Sequence, residues 1–200
     1  MKWFALTLAA TAALAMAAIS DPPKSKIAGS PGAPLRLELY GDFSCPHCRM
    51  VHEQILPQIM RDFVTPGKAY LVFRDYVLTG PGHEHSREAA TYAAAAARIG
   101  KYSAAADYLF KAQGAWALNG QVWPSITGAF TPDEQKKIQT LVKDPSIAAD
   151  VQNDIDAGNA VPVQQTPTLV IISKGKKQTW AMWNSYPLLK NYLDTLAAGR

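Results

Sequence analysis

Hydrophobic and polar residues first alternate at positions 35–40, where every second residue is leucine. A period of two predicts a β-strand with one buried face. From residue 45 onward the apolar positions recur with helical spacing, and residues 69–73 form a short apolar run typical of a buried strand. The order strand, helix, strand predicts a βαβ unit, in which a right-handed crossover joins two parallel strands.

The middle of the chain has a different pattern. Residues 84–99, 102–116, 133–142 and 148–157 have helical spacing, and glycine or proline separates one segment from the next. We therefore predict a compact all-helical subdomain over residues 83–158. Its expected core contains the aromatic side chains Tyr92, Tyr102, Tyr108, Phe110, Trp116 and Trp123.

A strand pattern returns near the carboxyl end of the chain. Residues 168–172 are an apolar run, residues 173–177 are typical of a hairpin turn, and residues 178–183 are expected to pair back on the strand. Ser185 is a candidate N-cap for a final helix at 187–196. The expected apolar face of that helix consists of Leu188, Leu189, Tyr192 and Leu196.

These elements predict an α/β fold, in which a mixed central sheet is flanked by helices and interrupted by an inserted all-helical subdomain. The sheet and its helices come from residues 35–82 and 159–200, and the insertion comes from residues 83–158. Residues 21–34 contain four prolines and two glycines. We predict that they form a linker or an N-terminal arm.

Residues 1–20 have the composition of an export signal. Lys2 is the single charged residue, and an apolar, alanine-rich run follows it. A basic start, an apolar centre and small residues at the end are typical of a cleaved signal peptide, and cleavage is expected after Ala17 or after Ser20. A permanent membrane anchor is the alternative, since the run approaches the length that spans a bilayer. The rest of the chain is expected to be periplasmic or otherwise extracytoplasmic.

Composition narrows the class of function. The chain has 200 residues, of which 48% are hydrophobic and 18% charged, and its formal net charge is +4. This composition excludes full disorder, which requires few apolar residues and a high net charge. The charge is too small to indicate a nucleic-acid partner, because such partners select a clustered basic surface.

The chain has two cysteines, Cys45 and Cys48. A disulfide between them closes so short a loop that it would stabilise the fold by only about 2 kcal/mol in the chain-entropy model. A structural staple is therefore disfavoured, and a redox pair is favoured. The predicted redox centre is the Cys45–Cys48 disulfide itself, without a cofactor or a metal.

The pair lies where a predicted strand ends and a helix begins, and this position makes the two thiols unequal. Cys45 meets free backbone N–H groups and the positive end of the helix dipole, which lower the pKa of a thiol. His47 would add a donor or a positive charge, and Pro46 suits a first helical position because no N–H partner is needed there. We expect Cys45 to be exposed and Cys48, one turn further along, to be buried.

These residues resemble the thioredoxin superfamily, and within it the exported DsbA-type thiol–disulfide oxidoreductases. The resemblance is carried by GDFSCPHC at residues 41–48 after a strand and by QTPT at residues 165–168 before one; residues 83–90 and 109–116 are similar to the family's helical insertion. It implies a thioredoxin-like fold over roughly residues 33–198. It also implies that Pro167 has a cis peptide bond beside the cysteines, and that Thr166 offers its backbone to an extended substrate peptide.

The chain departs from the family pattern at one position. Many relatives have a buried acid six residues before the first cysteine, where this chain has Leu39, and the neighbouring Glu38 is expected on the opposite face of the strand. The family's proton acceptor for Cys48 is therefore absent, and solvent is expected to replace it. Asp42 fits the family pattern, but the sequence assigns it no role.

The predicted function is disulfide formation in cysteine-containing exported proteins by a monomeric oxidase. The resemblance implies reoxidation by a membrane quinone-linked partner. A disulfide reductase or isomerase with the same site is the alternative, since Thr166 before the proline also occurs in such relatives. The rivals from other classes are a copper- or zinc-binding protein that uses the two thiols with His52, or with His83 and His85, and a chaperone with incidental thiols.

Overall fold

The structure is a computed structural model that describes residues 19–181 and 185–199. The predicted signal peptide therefore lies almost entirely outside the described residues. The strands are β1 (Ile27–Ala28), β2 (Leu35–Gly41), β3 (Ala69–Asp75), β4 (Thr168–Ser173) and β5 (Lys176–Ala181). They form a sheet in the order β1-β3-β2-β4-β5.

Helices flank this sheet and occupy the middle of the chain. Helix α1 runs from residue 46 to residue 64 in four consecutive segments, Pro46–Met50, Val51–Ile55, Leu56–Ile59 and Met60–Val64, of which the second and the fourth are π-helical. The helices that follow are α2 (Ser86–Arg98), α3 (Tyr102–Lys111), α4 (Gln113–Asn119), α5 (Val122–Ile126), α6 (Pro132–Leu141), α7 (Pro145–Ala160) and α8 (Tyr186–Ala197).

Strand β2 lies at the centre of the sheet. It pairs in parallel with β3, where Leu37 is opposite Leu71, and antiparallel with β4, where Leu37 is opposite Ile171. Because α1 connects β2 to β3, the predicted βαβ unit with parallel strands is confirmed. The mixed sheet flanked by helices confirms the predicted α/β class.

The hairpin between β4 and β5 is also confirmed. Lys174 and Gly175 form its turn with φ angles of 49° and 76°, and positive φ at both central residues is typical of a two-residue hairpin. Strand β5 begins at Lys176, two residues before the predicted start, and residues 182–184 lie outside the described part of the chain.

The arm before β2 contributes a strand that the sequence pattern did not predict. Strand β1 pairs antiparallel with the edge of β3. Gly29 permits this approach, because its φ is 85° and an added Cβ would lie 2.9 Å from the Val64 side chain. A strand of two residues is too short to show a period, so alternation could not reveal it.

The helical segment differs from the prediction in two places. The predicted helix 102–116 is divided at Ala112 into α3 and α4. Helix α5 has no counterpart in the prediction, since it follows Gly120 and contains Pro124, and both residue types indicate a break. Proline is nevertheless tolerated in the first turn of a helix, where its missing N–H has no intrahelical partner.

Two apolar clusters meet at the carboxyl end of β2. The alternating leucines of β2 pack with side chains of α1 and α8 on one face of the sheet. The helical segment has its own cluster, which contains most of the predicted aromatics and also Cys45 and Cys48. The two cysteines therefore lie where the sheet meets the helical insertion.

Two apolar positions lie at the surface, contrary to the prediction. Tyr108 is 36% exposed and Leu188 is 62% exposed. In α8 the buried residues are Leu189 and Leu193, and Leu188 is turned about 100° away from Leu189 around the helix axis. The predicted N-cap is confirmed, because the Ser185 hydroxyl accepts a hydrogen bond from the Leu188 N–H.

Candidate active site

The two cysteines lie at the start of α1, directly after β2. Cys45 is the N-cap residue of this helix and has extended backbone angles, and Pro46 occupies a position in the first turn. Pro46 and His47 are exposed, whereas Cys48 is buried. The backbone thus places the pair where the sequence predicted, at a strand-to-helix junction.

The prediction that Cys45 is exposed is wrong, whereas the predicted burial of Cys48 is confirmed. Cys45 is 6% exposed and Cys48 is 4% exposed. Cys45 is covered because the loop before β4 lies against it, and its sulfur is 3.4 Å from the Thr166 carbonyl oxygen. A long-range contact across 121 residues is not visible in a local sequence pattern.

The two thiols differ in acidity even though both are buried. The hydrogen bond from the Cys48 thiol, together with the backbone N–H groups of Cys48 and His47 at the helix start, lowers the pKa of Cys45 to about 5. Burial raises the pKa of Cys48 well above the ordinary value, and the neighbouring Cys45 raises it further. At neutral pH the pair therefore holds one thiolate, on Cys45, and one thiol, on Cys48.

His47 contributes to this asymmetry through its backbone. Its N–H group is among those that lower the pKa of the Cys45 thiol, and its side chain lies on the exposed side of α1. A helix N-terminus supplies such donors whatever the side chain is.

The loop before β4 forms the second half of the site. The peptide bond between Thr166 and Pro167 is cis, and both residues are buried beside the thiols. The Thr166 side chain is buried against the two sulfurs, and its hydrogen bonding lowers the pKa of both thiols, although other effects dominate for Cys48. The structure therefore brings Cys45, Cys48, Thr166 and Pro167 together, as the sequence predicted.

Asp42 has a structural role that the sequence did not reveal. Its buried carboxylate accepts hydrogen bonds from the N–H groups of Ser44 and Leu78 and from the Ser86 hydroxyl, each over 2.7 Å. His83 lies 3.2 Å from the same carboxylate. The Asp42 N–H in turn points at the Cys48 sulfur over 3.4 Å, so this carboxylate fixes the loop that carries the cysteines.

Gln113 is the second residue that sequence reasoning missed. Its side-chain amide donates to the carbonyl oxygens of Phe43 and Cys45, over 2.6 and 3.0 Å. The first residue of α4 thereby holds the backbone on both sides of Ser44. A buried glutamine in an otherwise apolar helical segment is the signal that could have indicated this contact.

The position that holds an acid in many relatives is apolar here. Leu39 is 9% exposed and lines a cavity together with Cys48. Glu38 is on the opposite face, where it binds Arg36 and the Tyr40 hydroxyl. The sequence-based expectation for both residues is confirmed.

The histidines proposed as metal ligands have other partners. His52 lies 2.8 Å from Asp107, and His83 contacts Asp42 and Ser86. His85 packs against the backbone of Gly120. Over residues 19–181 and 185–199, the structure contains no group of three or more histidine, cysteine or acidic residues arranged to hold a metal ion.

No helix among the described residues combines the length and the apolar character that crossing a bilayer requires.

Two neighbouring thiols of unequal acidity, placed at a helix N-terminus beside a proline loop, define a class of protein that exchanges thiols and disulfides. Sequence comparison agrees with that class. A family model described as Thioredoxin matches residues 21–186, and the chain belongs to this family.

Individual relatives are consistent with this assignment. Disulfide bond formation protein D of Bacillus subtilis (strain 168) is 28% identical over 171 residues, which is 78% of this chain and 73% of that protein. The crystal structure of oxidised BdbD from Bacillus subtilis has a TM-score of 0.70 at 23% identity and covers 91% of this chain and 99% of its own. Wolbachia pipientis α-DsbA1 has a TM-score of 0.70 at 18% identity, with 87% and 91% covered.

The structural likenesses establish the thioredoxin-like fold, and the resemblance to DsbA-type proteins is confirmed. The sequence relative and the cysteine pair make the chain a protein thiol–disulfide oxidoreductase.

Proposed function

We propose that this protein introduces disulfides into cysteine-containing exported proteins, with a Cys45–Cys48 disulfide as its oxidant. The observation that carries the proposal is the opposite displacement of the two pKa values, down to about 5 for Cys45 and upward for Cys48. Stabilising the Cys45 thiolate stabilises the reduced enzyme, and a stable reduced form makes the disulfide a strong oxidant.

The proposed reaction has two exchange steps. A substrate thiolate attacks the Cys45 sulfur, the Cys45–Cys48 bond breaks, and Cys48 leaves and takes up a proton. A second substrate thiolate then attacks the substrate sulfur of the mixed disulfide, and Cys45 leaves as a thiolate. The substrate loses two electrons and gains a disulfide, and the enzyme becomes a dithiol. Reoxidation by a membrane quinone-linked partner completes the proposed cycle.

The loop before β4 is proposed as the substrate-binding element. Thr166 borders the Cys45 sulfur, and an extended peptide can pair with its backbone as a short added strand. Pro46 and His47 are exposed beside the nucleophile and are proposed to border the same substrate.

A reductase or isomerase remains the second candidate, since the direction of exchange depends on the reduction potential rather than on the residues present. We propose a monomer in a periplasmic or other extracytoplasmic location, and the predicted export signal supports that location.

The decisive experiment measures the reduction potential by equilibration with glutathione buffers. A value near about −120 mV supports an oxidase, whereas a value near about −270 mV, as in thioredoxin, would assign the protein to the reducing side. Ultraviolet absorbance of the thiolate is expected to titrate with a midpoint near 5, and the Cys45→Ala variant should lose this transition.

The lowered pKa of Cys45 makes the stability of the reduced protein depend on pH. Because the pKa of Cys45 is lower in the folded protein than in an unfolded chain, its stabilisation of the reduced form is complete above about pH 8.5. It decreases below that pH and is lost as the pH falls through about 5. Unfolding of the reduced and oxidised forms should show the reduced form as the more stable one at pH 7, with the gap closing near pH 4. A gap independent of pH would contradict the proposed thiolate.

A further inference from the structure

A cavity of about 200 Å³ lies beneath the cysteine pair, between the sheet, the first half of α1 and helix α3. Cys48, Leu39 and Pro167 line it on the side of the active site, and His52 and Asp107 line it where α1 faces α3. Cys48 and His52 therefore border the same cavity.

Cys48 needs a proton donor and acceptor in every exchange cycle. It gains a proton when it leaves the disulfide and loses one when it attacks Cys45. Its side chain is buried, and the pKa of its thiol is raised by burial, so proton transfer cannot occur directly to bulk water. Leu39 cannot serve, because it has no ionisable group.

The position of His52 and the residues that contact it suit proton transfer to and from Cys48. It lies four residues after Cys48 on α1, so the two side chains project from the same side of the helix. Its Nε2 is 2.8 Å from the Asp107 carboxylate, and its ring packs on Phe110 with 4.7 Å between the ring centroids. The His52 side chain is 19% exposed, compared with 65% for Asp107, so the imidazole lies between the cavity and solvent.

The pairing with Asp107 also selects the reactive nitrogen. A carboxylate accepts a hydrogen bond and therefore keeps the proton of neutral imidazole on Nε2. Nδ1 then carries the lone pair that can take up a proton. An imidazole can take up a proton on this nitrogen and release it again, which is what transfer to and from a thiol requires.

We propose that His52, oriented by Asp107, transfers the Cys48 proton through this cavity in place of the missing buried acid. During disulfide formation in a substrate, the Cys45–Cys48 bond breaks and His52 in its imidazolium form supplies the proton to the departing Cys48 thiolate. In the reverse step His52 in its neutral form accepts the proton as Cys48 attacks the Cys45 sulfur of a mixed disulfide. A water molecule in the cavity is the expected carrier between the two groups.

Other ionisable groups border the same cavity: Arg74, Asp75 and Tyr102. Asp75 is bound by the Lys26 ammonium and the Tyr102 hydroxyl, each over 2.6 Å. These contacts occupy both of its carboxylate oxygens. Arg74 is a permanent cation, and the pKa of Tyr102 is raised well above its ordinary value by burial. Burial also raises the pKa of Asp75, so Asp75 is the rival of His52 in this cavity, and the Asp75→Asn variant tests it.

The inference rests on the proposed exchange function, and the experiment separates the two. Reduced protein is mixed with oxidised glutathione between pH 5 and pH 8, samples are quenched with acid, and mass spectrometry follows the glutathione mixed disulfide at Cys45 and its conversion to the Cys45–Cys48 disulfide. Formation reports the attack by Cys45, and conversion reports the attack by Cys48. If the wild-type chain forms no mixed disulfide, the exchange function itself fails.

In His52→Gln we expect conversion at pH 7 to slow by about tenfold or more, with formation unchanged. General acid–base catalysis contributes about 10²–10⁴-fold, and water entering the cavity is expected to recover part of it. The pH dependence of conversion between pH 5 and 8 should also flatten. Asp107→Asn, a change at an exposed residue, is expected to slow conversion by about threefold, because the imidazole loses its orientation.

Matched controls decide between a proton-transfer role and a structural one. Glu53→Gln alters the next residue of α1, which pairs with Arg49 at the surface, and should leave both rates unchanged. Equal slowing of formation and conversion in His52→Gln would indicate a structural role and overturn the inference. So would unchanged conversion in both His52→Gln and Asp107→Asn, or a flattened profile in Asp75→Asn alone.

Discussion

Two groups of buried carboxylates lie near the active-site end of the sheet, and they are compensated in different ways. Asp42 sits in the loop before the cysteines, and its partners are two backbone N–H groups, a serine hydroxyl and His83. Asp75 is the last residue of β3 and lies beside Asp154 of α7, and the partners of these two acids are the cations Lys26 and Arg74. All these carboxylates are at most 4% exposed.

Asp75, Asp154 and the cations Lys26 and Arg74 form a charged cluster, which connects distant parts of the chain. Lys26 comes from the arm, Arg74 and Asp75 from β3, and Asp154 from α7, so the cluster fastens the arm and the helical segment to the sheet. Burial opposes the charge on Lys26, but Asp75 and Asp154 more than offset this, and the pKa of Lys26 is raised. Each ion is stable only while its counter-ions are present.

Asp42 and its partners Ser44, Leu78, Ser86 and His83 form a hydrogen-bonded cluster, which instead shapes one loop. Dipoles and hydroxyls stabilise the Asp42 carboxylate with directional contacts, and these contacts hold the Asp42 N–H toward the Cys48 sulfur. The charged cluster thus joins distant segments of the chain, whereas the hydrogen-bonded cluster fixes local geometry at the thiols. The two clusters should therefore respond differently to substitution.

The largest effect is expected from Lys26→Met, which leaves Asp75 and Asp154 without their shared cation. Breaking a buried ion pair costs about 3–5 kcal/mol, and urea unfolding at pH 7 should show a loss of that size. Lowering the pH should reduce the loss, because burial already raises the pKa of Asp75 and protonation removes the uncompensated charge. The reduction potential of the folded fraction should be unchanged.

Lys24→Met is the matched control, since Lys24 is exposed in the same turn and its loss should change the free energy of unfolding by less than about 0.5 kcal/mol. A loss below about 1 kcal/mol for Lys26→Met would contradict the stabilising role of the charged cluster.

A smaller effect on stability, with a change at the thiols, is expected from Asp42→Asn. The amide retains one acceptor oxygen, so one set of N–H and hydroxyl donors loses its partner, at a cost of about 1–3 kcal/mol. Removing a negative charge from the loop should also lower the pKa of Cys45 and raise the reduction potential. Thiolate absorbance and glutathione equilibration measure these two quantities.

Asp133→Asn removes an acid of the same charge from the surface of α6, where Asp133 pairs weakly with Lys136 over 3.8 Å, and should alter neither quantity. If Asp42→Asn changed only stability, the proposed link between this carboxylate and the thiols would be wrong.

The smallest effect is expected from Asp150→Asn, which breaks a salt bridge of good geometry at the surface. Arg98 binds both Asp150 oxygens, over 2.6 and 2.7 Å, with 41% of the Arg98 side chain exposed. Exposed ion pairs contribute about 0.2–1 kcal/mol, and added salt should weaken this one further. A loss above about 2 kcal/mol in urea unfolding would show that an exposed ion pair can stabilise the fold nearly as much as the buried charged cluster. Burial would then not explain the larger effect expected for Lys26→Met.

The sequence predicted the elements that have a strong local pattern. Alternating leucines predicted β2, helical spacing predicted most of α1, α2, α6 and α7, and the hairpin turn predicted the β4–β5 connection. It did not predict β1, whose two residues show no period, or the surface position of Leu188, which depends on how α8 is rotated against the sheet. Residues 1–18, which hold most of the predicted signal peptide, lie outside the described structure, and export stays a prediction.

The sequence predicted the chemistry of the site better than its surroundings. The Cys45–Cys48 spacing at a strand-to-helix junction predicted unequal thiols, because helix N-termini lower thiol pKa values wherever they occur. The supporting contacts of Asp42 and Gln113 cross 44 and 70 residues of chain. No local period or motif encodes such contacts, so neither role could be assigned.

By itself the sequence determined the mixed sheet, the helical insertion and a reactive cysteine pair, because backbone propensity, apolar period and the helix dipole act over a few residues. Only the tertiary structure decided that both cysteines are buried, that Asp42 and Gln113 hold their loop, that Lys26 joins two acids, and that His52 shares a cavity with Cys48. The physical reason is burial. The partners of a buried polar group are set by whichever distant segments the packed core brings against it.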